Sequence, residues 1–353
     1  MTSPEAGGRR DLVALPKAHL HLHFTGSMRP STLLDLAAKH GIRLPEALTT
    51  GVPPQLHATD EKGWFRFQRL YDIARSCVRD ADDMRRLVLE AAQDDAADGS
   101  RWLEIQVDPT SYAVHLGGIS RTLEIVLDAV REASAVTGVG MAVVVAASRI
   151  RHPLDARTLA RLAVRYARER PGEVVGFGLS NDERRGVTEE FAAAFGIARR
   201  AGLASVPHSG ELLGPENVRV ALDHLQPDRL GHGVRSGEDP AVLAEVVQRG
   251  ITLELCPGSN VALGVYGQAA DVPLRRLLDA GARVALGADD PLLFGSRLAD
   301  QYRGARDVHG LDDAALAQLA RFSIEGSRAP QDVKVRLLAE VDAWLASPPP
   351  PCT

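Results

Sequence analysis

Short apolar runs that end in polar residues recur along this chain, and each is followed by a stretch with helical spacing. The runs are AHLHLHF (18–24), WLEIQVDPT (102–110), MAVVVAASR (141–149), VVGFGLSND (174–182), ASVPHSGE (204–211), RLGHGV (229–234), ITLELCPGS (251–259) and VALGADDP (284–291). Most are rich in Val, Ile or Leu with little alternation, the pattern of strands covered on both faces. Between them lie Ala-, Leu-, Arg- and Glu-rich segments such as ARTLARLAVRYARER (156–170) and EEFAAAFGIARRAG (189–202), the second with Gly202 as a helix stop. Eight strand–helix alternations predict an α/β fold, a (β/α)8 TIM barrel.

The interval between the first two strands is too long for one helix. It predicts a helical insert over about 42–99, with loop chemistry at Gly51, Pro53 and Pro54 and a helix opening near Trp64. Inserts after barrel strands sit over the active-site mouth, so Trp64 and Phe67 are read both as a packed helix face and as a lid over an aromatic ligand. After Pro291 the helical pattern continues to Trp344, predicting extra C-terminal helices over about 304–346. Residues 1–353 are expected to form a single barrel domain with its core at about 12–303, while the polar first ten residues and the closing SPPPPCT carry no functional signal.

Composition narrows the class. The 353 residues are 45% hydrophobic and 25% charged, with a net charge of -5, so neither disorder nor a nucleic-acid or anionic-membrane partner is indicated. Three cysteines, Cys77, Cys256 and Cys352, are too few for a disulfide framework or a Cys-type zinc site. The N-terminal MTSPEAGGRR lacks the apolar core of a signal peptide, and no apolar run nears the ~20 residues a membrane span needs. A cytoplasmic enzyme acting on a small molecule is the expectation. The sequence carries no signal for oligomeric state.

The chemistry collects at the strand ends, where barrel enzymes place their reactive groups. Strand one ends in His21-Leu-His23, whose alternation points both imidazoles the same way. Strand five ends in His208-Ser-Gly-Glu211, strand six carries Gly231-His232-Gly233, and strand eight ends in Asp289-Asp290-Pro291. Each motif alone is weak: a lone His is more often a core residue, and Asp-Asp-Pro is more often a turn. Together they place many ionisable groups at one barrel end, which without a metal or substrate would cost several kcal/mol per unpaired charge. Imidazoles with a carboxylate suit a borderline cation such as zinc, which lowers the pKa of bound water to near 7 and so favours hydrolytic attack on an electrophilic carbon.

The segments LPKAHLHLHFTGSMRPSTL, HSGE, RLGHG, ELCPGSN and LGADDPLLF resemble, in order, the motifs of the adenosine deaminase family of zinc aminohydrolases, from about Leu15 to Tyr302. The resemblance implies one Zn2+ per subunit held by His21, His23, His208 and Asp289. It implies Glu211 as the acid that protonates purine N1, His232 as the base for the attacking water, and Asp290 as the carboxylate shared between that water and purine N7. No C-x-x-C exists, so the other nucleobase deaminase architecture is excluded. Strand four has no Lys, which favours one metal over a carbamate-bridged pair.

Departures from the family bear on substrate. Thr25 stands where the family has an acid that binds the ribose 5′-hydroxyl, and Asn181 replaces a glycine whose backbone N–H meets purine N3. Ser209 replaces an Ala. Loss of the acid removes repulsion toward an anionic 5′ substituent. The expected substrate is therefore a purine nucleoside extended at its 5′ end, with 6-aminodeoxyfutalosine, a menaquinone-pathway intermediate, as the favoured member. An Arg at the mouth should then meet its carboxylate, with Arg149, Arg151, Arg66 and Arg69 as candidates. The alternatives are adenosine, adenine and N6-methyl-AMP and, from other classes, a metal-dependent ester or amide hydrolase or a non-catalytic binding protein.

Overall fold

A computed structural model describes residues 9–50, 56 and 60–348. Eight strands run β1 Lys17–His23, β2 Ser100–Val107, β3 Gly140–Ser148, β4 Val174–Ser180, β5 Ala204–Ser209, β6 Arg229–His232, β7 Thr252–Leu255 and β8 Arg283–Leu286. They pair in sequence order and every pairing is parallel. The chain closes between its two ends: His23 N donates to Asp289 O and Asp289 N donates to His21 O, both at 3.0 Å. This is the predicted TIM barrel, and each strand falls on one of the apolar runs. β3, GMAVVVAAS, is buried from Met141 onward, as a strand covered on both faces requires.

The insert after β1 is helical. Helices Glu61–Ser76 and Ala81–Ala97 precede β2, and the second opens on a reciprocal capping box between Asp80 and Asp83. The loop positions Gly51, Pro53 and Pro54 lie outside the described residues. Helices Asp313–Gly326 and Gln331–Ala346 follow the barrel, where Ser323 Oγ accepts from Ala18 N and Gly326 O accepts from Arg229 Nη1. No helix among the described residues is long and apolar enough to cross a membrane.

The barrel interior carries a charged rung. Arg229 on β6 reaches Glu104 on β2 and Glu254 on β7, each at 2.6 Å and all three essentially inaccessible. Burial opposes the charge on Arg229, but the two carboxylates on either side hold it ionised. Trp102 Nε1 donates to the same Glu104 at 3.0 Å. A buried Arg paired with two carboxylates braces three strands.

Candidate active site

The strand order places β1, β5 and β8 so that His21, His23, His208 and Asp289 meet at the C-terminal mouth. The ligand atoms of His21, His23 and His208 lie within 4.8 Å of one another. Asp289 Oδ1 is 3.2 Å from His23 Nε2 and 3.5 Å from His21 Nε2, and the Nε2 atoms of His23 and His208 face each other at 3.2 Å. His21 Nδ1 is held by Glu254 Oε2 at 2.8 Å, which turns the lone pair of Nε2 into the cluster. That Nε2 is buried and has no hydrogen-bond partner among the described residues. Converging imidazole nitrogens, one of them orphaned, around an ionised carboxylate fit a divalent cation of the zinc type. Burial opposes the charge on Asp289, but the neighbouring imidazoles of His21 and His23 hold its carboxyl well below the usual range. Ser259 Oγ donates to its other oxygen at 2.6 Å.

Local backbone aims these groups. Among the described residues, four other than glycine have positive φ, and three are site positions: Asn181 at 82°, His232 at 62° and Asp289 at 62°. Left-handed backbone is costly for side-chain-bearing residues and concentrates where a site requires it. It also accounts for Asn181 standing where the family has glycine, since Asn tolerates this region best after Gly. Gly26 is required for contact of another kind: a Cβ there would come within 1.7 Å of Asp290 Oδ1.

The acid–base groups surround the cluster. Glu211 and Asp290 are both buried, and burial followed by the negative charge of Asp289 pushes both carboxyls well above their ordinary values. Burial, then the neighbouring His21, lowers His232 to about 3, leaving it a neutral acceptor. Its Nε2 lies 3.5 Å from Glu211 Oε1 and 3.9 Å from Asp289 Oδ2. Burial and the same imidazole neighbours hold His208 well below its ordinary value.

A cavity opens above these residues. His23, His208, Glu211, His232, Asp289, Asp290 and Asn181 all line it, as do Trp64 and Phe67 from the insert. Phe67 stacks on Phe294 with ring centroids 5.7 Å apart, so the insert helix is both packed and part of the cavity wall. Thr25 is placed differently from the expectation. It is buried, its hydroxyl is 2.5 Å from Tyr112 Oη, and Tyr112 is the residue that faces the cavity. The Arg candidates also shift: Arg149 is buried and donates to Thr188 and to the carbonyl of His208, while Arg66, Arg69 and Arg151 are exposed and absent from the cavity wall.

Several functional positions escaped the sequence reading. Arg75 lines the cavity, with its guanidinium on Asp72 and Ser111. Glu183 is buried and accepts from the backbone N–H groups of Gly210, Glu211, Leu212 and Leu213 at 2.5–3.0 Å, fixing the loop that carries Glu211. His19 bridges Asp95, at 2.9 Å, to the N–H of Ala288, at 3.0 Å, directly before Asp289. Gln106 also lines the cavity. Glu183 could have been suspected from the GLSNDE segment; the others carry no local signature.

A parallel eight-stranded barrel whose first, fifth and eighth strands converge imidazoles and a carboxylate on one point, with buried acids beside it, defines a metal-dependent hydrolase. Within that class the chain belongs to the adenosine deaminase family, whose model, described as "Adenosine deaminase", matches residues 16–344. It is an aminohydrolase of that family. It is 65% identical over 95% of its length, and 98% of the relative's, to a Streptomyces virginiae protein named "Putative adenosine/adenine deaminase". It is 35% identical to an adenine deaminase of Agrobacterium fabrum, over 93% of this chain and 98% of that one. It is also 35% identical to an aminodeoxyfutalosine deaminase of Streptomyces coelicolor, over 95% and 87%. Among solved structures, an Arthrobacter aurescens adenine deaminase superposes with TM-score 0.85 at 28% identity over 94% of this chain and 99% of that one. A Burkholderia ambifaria amidohydrolase with bound Zn gives 0.82 at 26%, over 95% and 92%.

Proposed function

We propose that the chain hydrolyses the 6-amino group of adenine or adenosine, releasing ammonia and the 6-oxopurine. The observation that carries this reading is the pair of buried carboxyls, Glu211 and Asp290, lining the cavity beside the imidazole cluster. An aminopurine offers two ring nitrogens, N1 and N7, on either side of the carbon to be attacked, and each calls for a donor. Zinc held by His21, His23, His208 and Asp289 would supply a water acidified toward neutral pH.

The residues then divide the proton work. Glu211 protonates N1, which draws electrons from C6 and opens it to attack. His232, neutral in this setting, accepts a proton from the attacking water. Asp290 holds N7 and the water oxygen on one side of the ring. As the C6–N bond breaks, the amino group leaves as ammonia with the proton His232 took from the water, the remaining hydroxyl proton returns to Glu211, and the new C6–O bond becomes the carbonyl. Trp64 and Phe67 form an aromatic part of the cavity wall.

The 5′-extended nucleoside expected from Thr25 has less support than the simpler substrates. The Thr25 hydroxyl is engaged by Tyr112 and does not face an opening, and relatives of higher identity carry the adenosine/adenine name. Arg75 is the one observation in its favour, because this cation lines the cavity. A panel of adenine, adenosine and aminodeoxyfutalosine, followed by ammonia release from zinc-loaded protein, tests the reading. Deamination of adenine or adenosine is expected to lead. Release of ammonia only from amides, or turnover of esters alone, would overturn it.

A further inference from the structure

Gln106 sits at the cavity's inner wall with nothing to do. It is 2% exposed, and neither its Oε1 nor its Nε2 has a hydrogen-bond partner among the described residues. A buried carboxamide left unpaired costs about 1–3 kcal/mol per group, so a site retains one where a ligand completes it. Its backbone is firmly placed: Gln106 pairs with His23 in the β1–β2 register, and its carbonyl accepts from Phe24 N at 3.0 Å. Side chains of paired residues on parallel strands point to the same face, so the carboxamide stands beside the His23 imidazole.

The order of groups around the mouth says which part of a ligand it meets. Glu211 follows β5, Asn181 follows β4, Gln106 lies on β2 and Asp290 follows β8. A purine whose C6 faces the imidazole cluster, with N1 and N7 toward Glu211 and Asp290, has its N3–C4–N9 edge turned to β2–β4. If N1 and N7 exchange places, the same edge still faces those strands. In free adenine this edge offers an acceptor at N3 and a donor at N9–H. A carboxamide offers the complement, Nε2–H to N3 and Oε1 from N9–H, in the two-point geometry by which Gln and Asn read an adenine edge elsewhere.

We infer that Gln106 is a specificity-determining residue that pairs with the N3/N9–H edge of the purine and so selects the free base, adenine, over N9-substituted purines. This rests on the reading that the cavity deaminates 6-aminopurines. With N9 substituted, Oε1 loses its donor and is left buried and unpaired, the situation in which enzymes reject an analogue most strongly.

The test compares adenine, 9-methyladenine and adenosine as substrates of the zinc-loaded enzyme and of Gln106→Met, which keeps length and removes both polar atoms. In the wild type, kcat/KM for adenine should exceed that for 9-methyladenine by roughly 10–100-fold or more, with adenosine lower still. In Gln106→Met, adenine should fall by a larger factor than 9-methyladenine, which lacks the N9–H partner in either protein, so that the two converge. Calorimetric binding of the products, hypoxanthine against 9-methylhypoxanthine, should show the same convergence in Kd. Equal use of adenine and 9-methyladenine by the wild type, or an unaltered ratio in a folded variant, overturns the role of Gln106 and leaves deamination intact. Because the wild-type comparison needs no variant, a misfolded Gln106→Met does not weaken it. No turnover of any 6-aminopurine would overturn both this inference and the proposed function.

Discussion

Glu211 can donate only while it carries its proton, and its surroundings keep that proton on well above the ordinary carboxyl range. The sign follows: kcat/KM should hold toward lower pH on account of this group and fall as pH rises through its elevated pKa. Glu211→Gln should remove that alkaline limb and lower kcat by about 10²–10⁴-fold, the usual worth of a positioned acid, without changing circular dichroism or metal content. A pH–rate profile of both proteins checks it, and a variant retaining most of its rate would remove Glu211 from the reaction. Gly26→Ala gives a second expectation at this scale. The new Cβ would collide with Asp290, so activity should fall while the imidazole cluster still loads metal. The proposed metal-binding and acid–base groups were legible in the sequence because each is an unusual residue at the end of an apolar run. Gln106, Arg75 and Tyr112 were not, because their meaning lies in what they face across the cavity.

The elements supply positions that no single motif encodes. His21 on β1 is oriented by Glu254 on β7, 233 residues away, and Glu254 is in turn anchored by Arg229 on β6. Glu254→Gln keeps the shape but loses the charge that both neighbours answer. Metal affinity should drop by about 10–100-fold, read by competition with a chelator, as for other groups that orient a metal-ligating His. A second expectation concerns the loop after β5. Glu183→Gln weakens the acceptor that gathers four backbone N–H groups, so kcat should fall more than metal content does. The strands themselves were readable from apolar runs alone, since parallel strands buried on both faces need no alternation. Their pairing register, which sets Gln106 beside His23, was not, because one-residue shifts leave such a uniform pattern unchanged.

At the scale of the whole molecule, residues 1–353 are proposed to behave as one domain. The C-terminal helices contact β1 through Ser323 and β6 through Gly326, so they should melt with the barrel. Calorimetry should show a single transition, and stripping the metal should lower its midpoint, because a ligand bound only by the folded chain stabilises in proportion to RT ln(1 + [L]/Kd). Two separated transitions would argue for independent units.

The barrel's seam has a further consequence. His21 and His23 belong to the first strand and Asp289 follows the last, and backbone hydrogen bonds join them across the closure. A ribosome must therefore translate past residue 289 before a complete set of donors exists. Metal affinity that depends on a folded site arises only then. With the proposed ligand set, capture of the ion would be a late event of biosynthesis, and nascent chains arrested earlier should remain unable to sequester it.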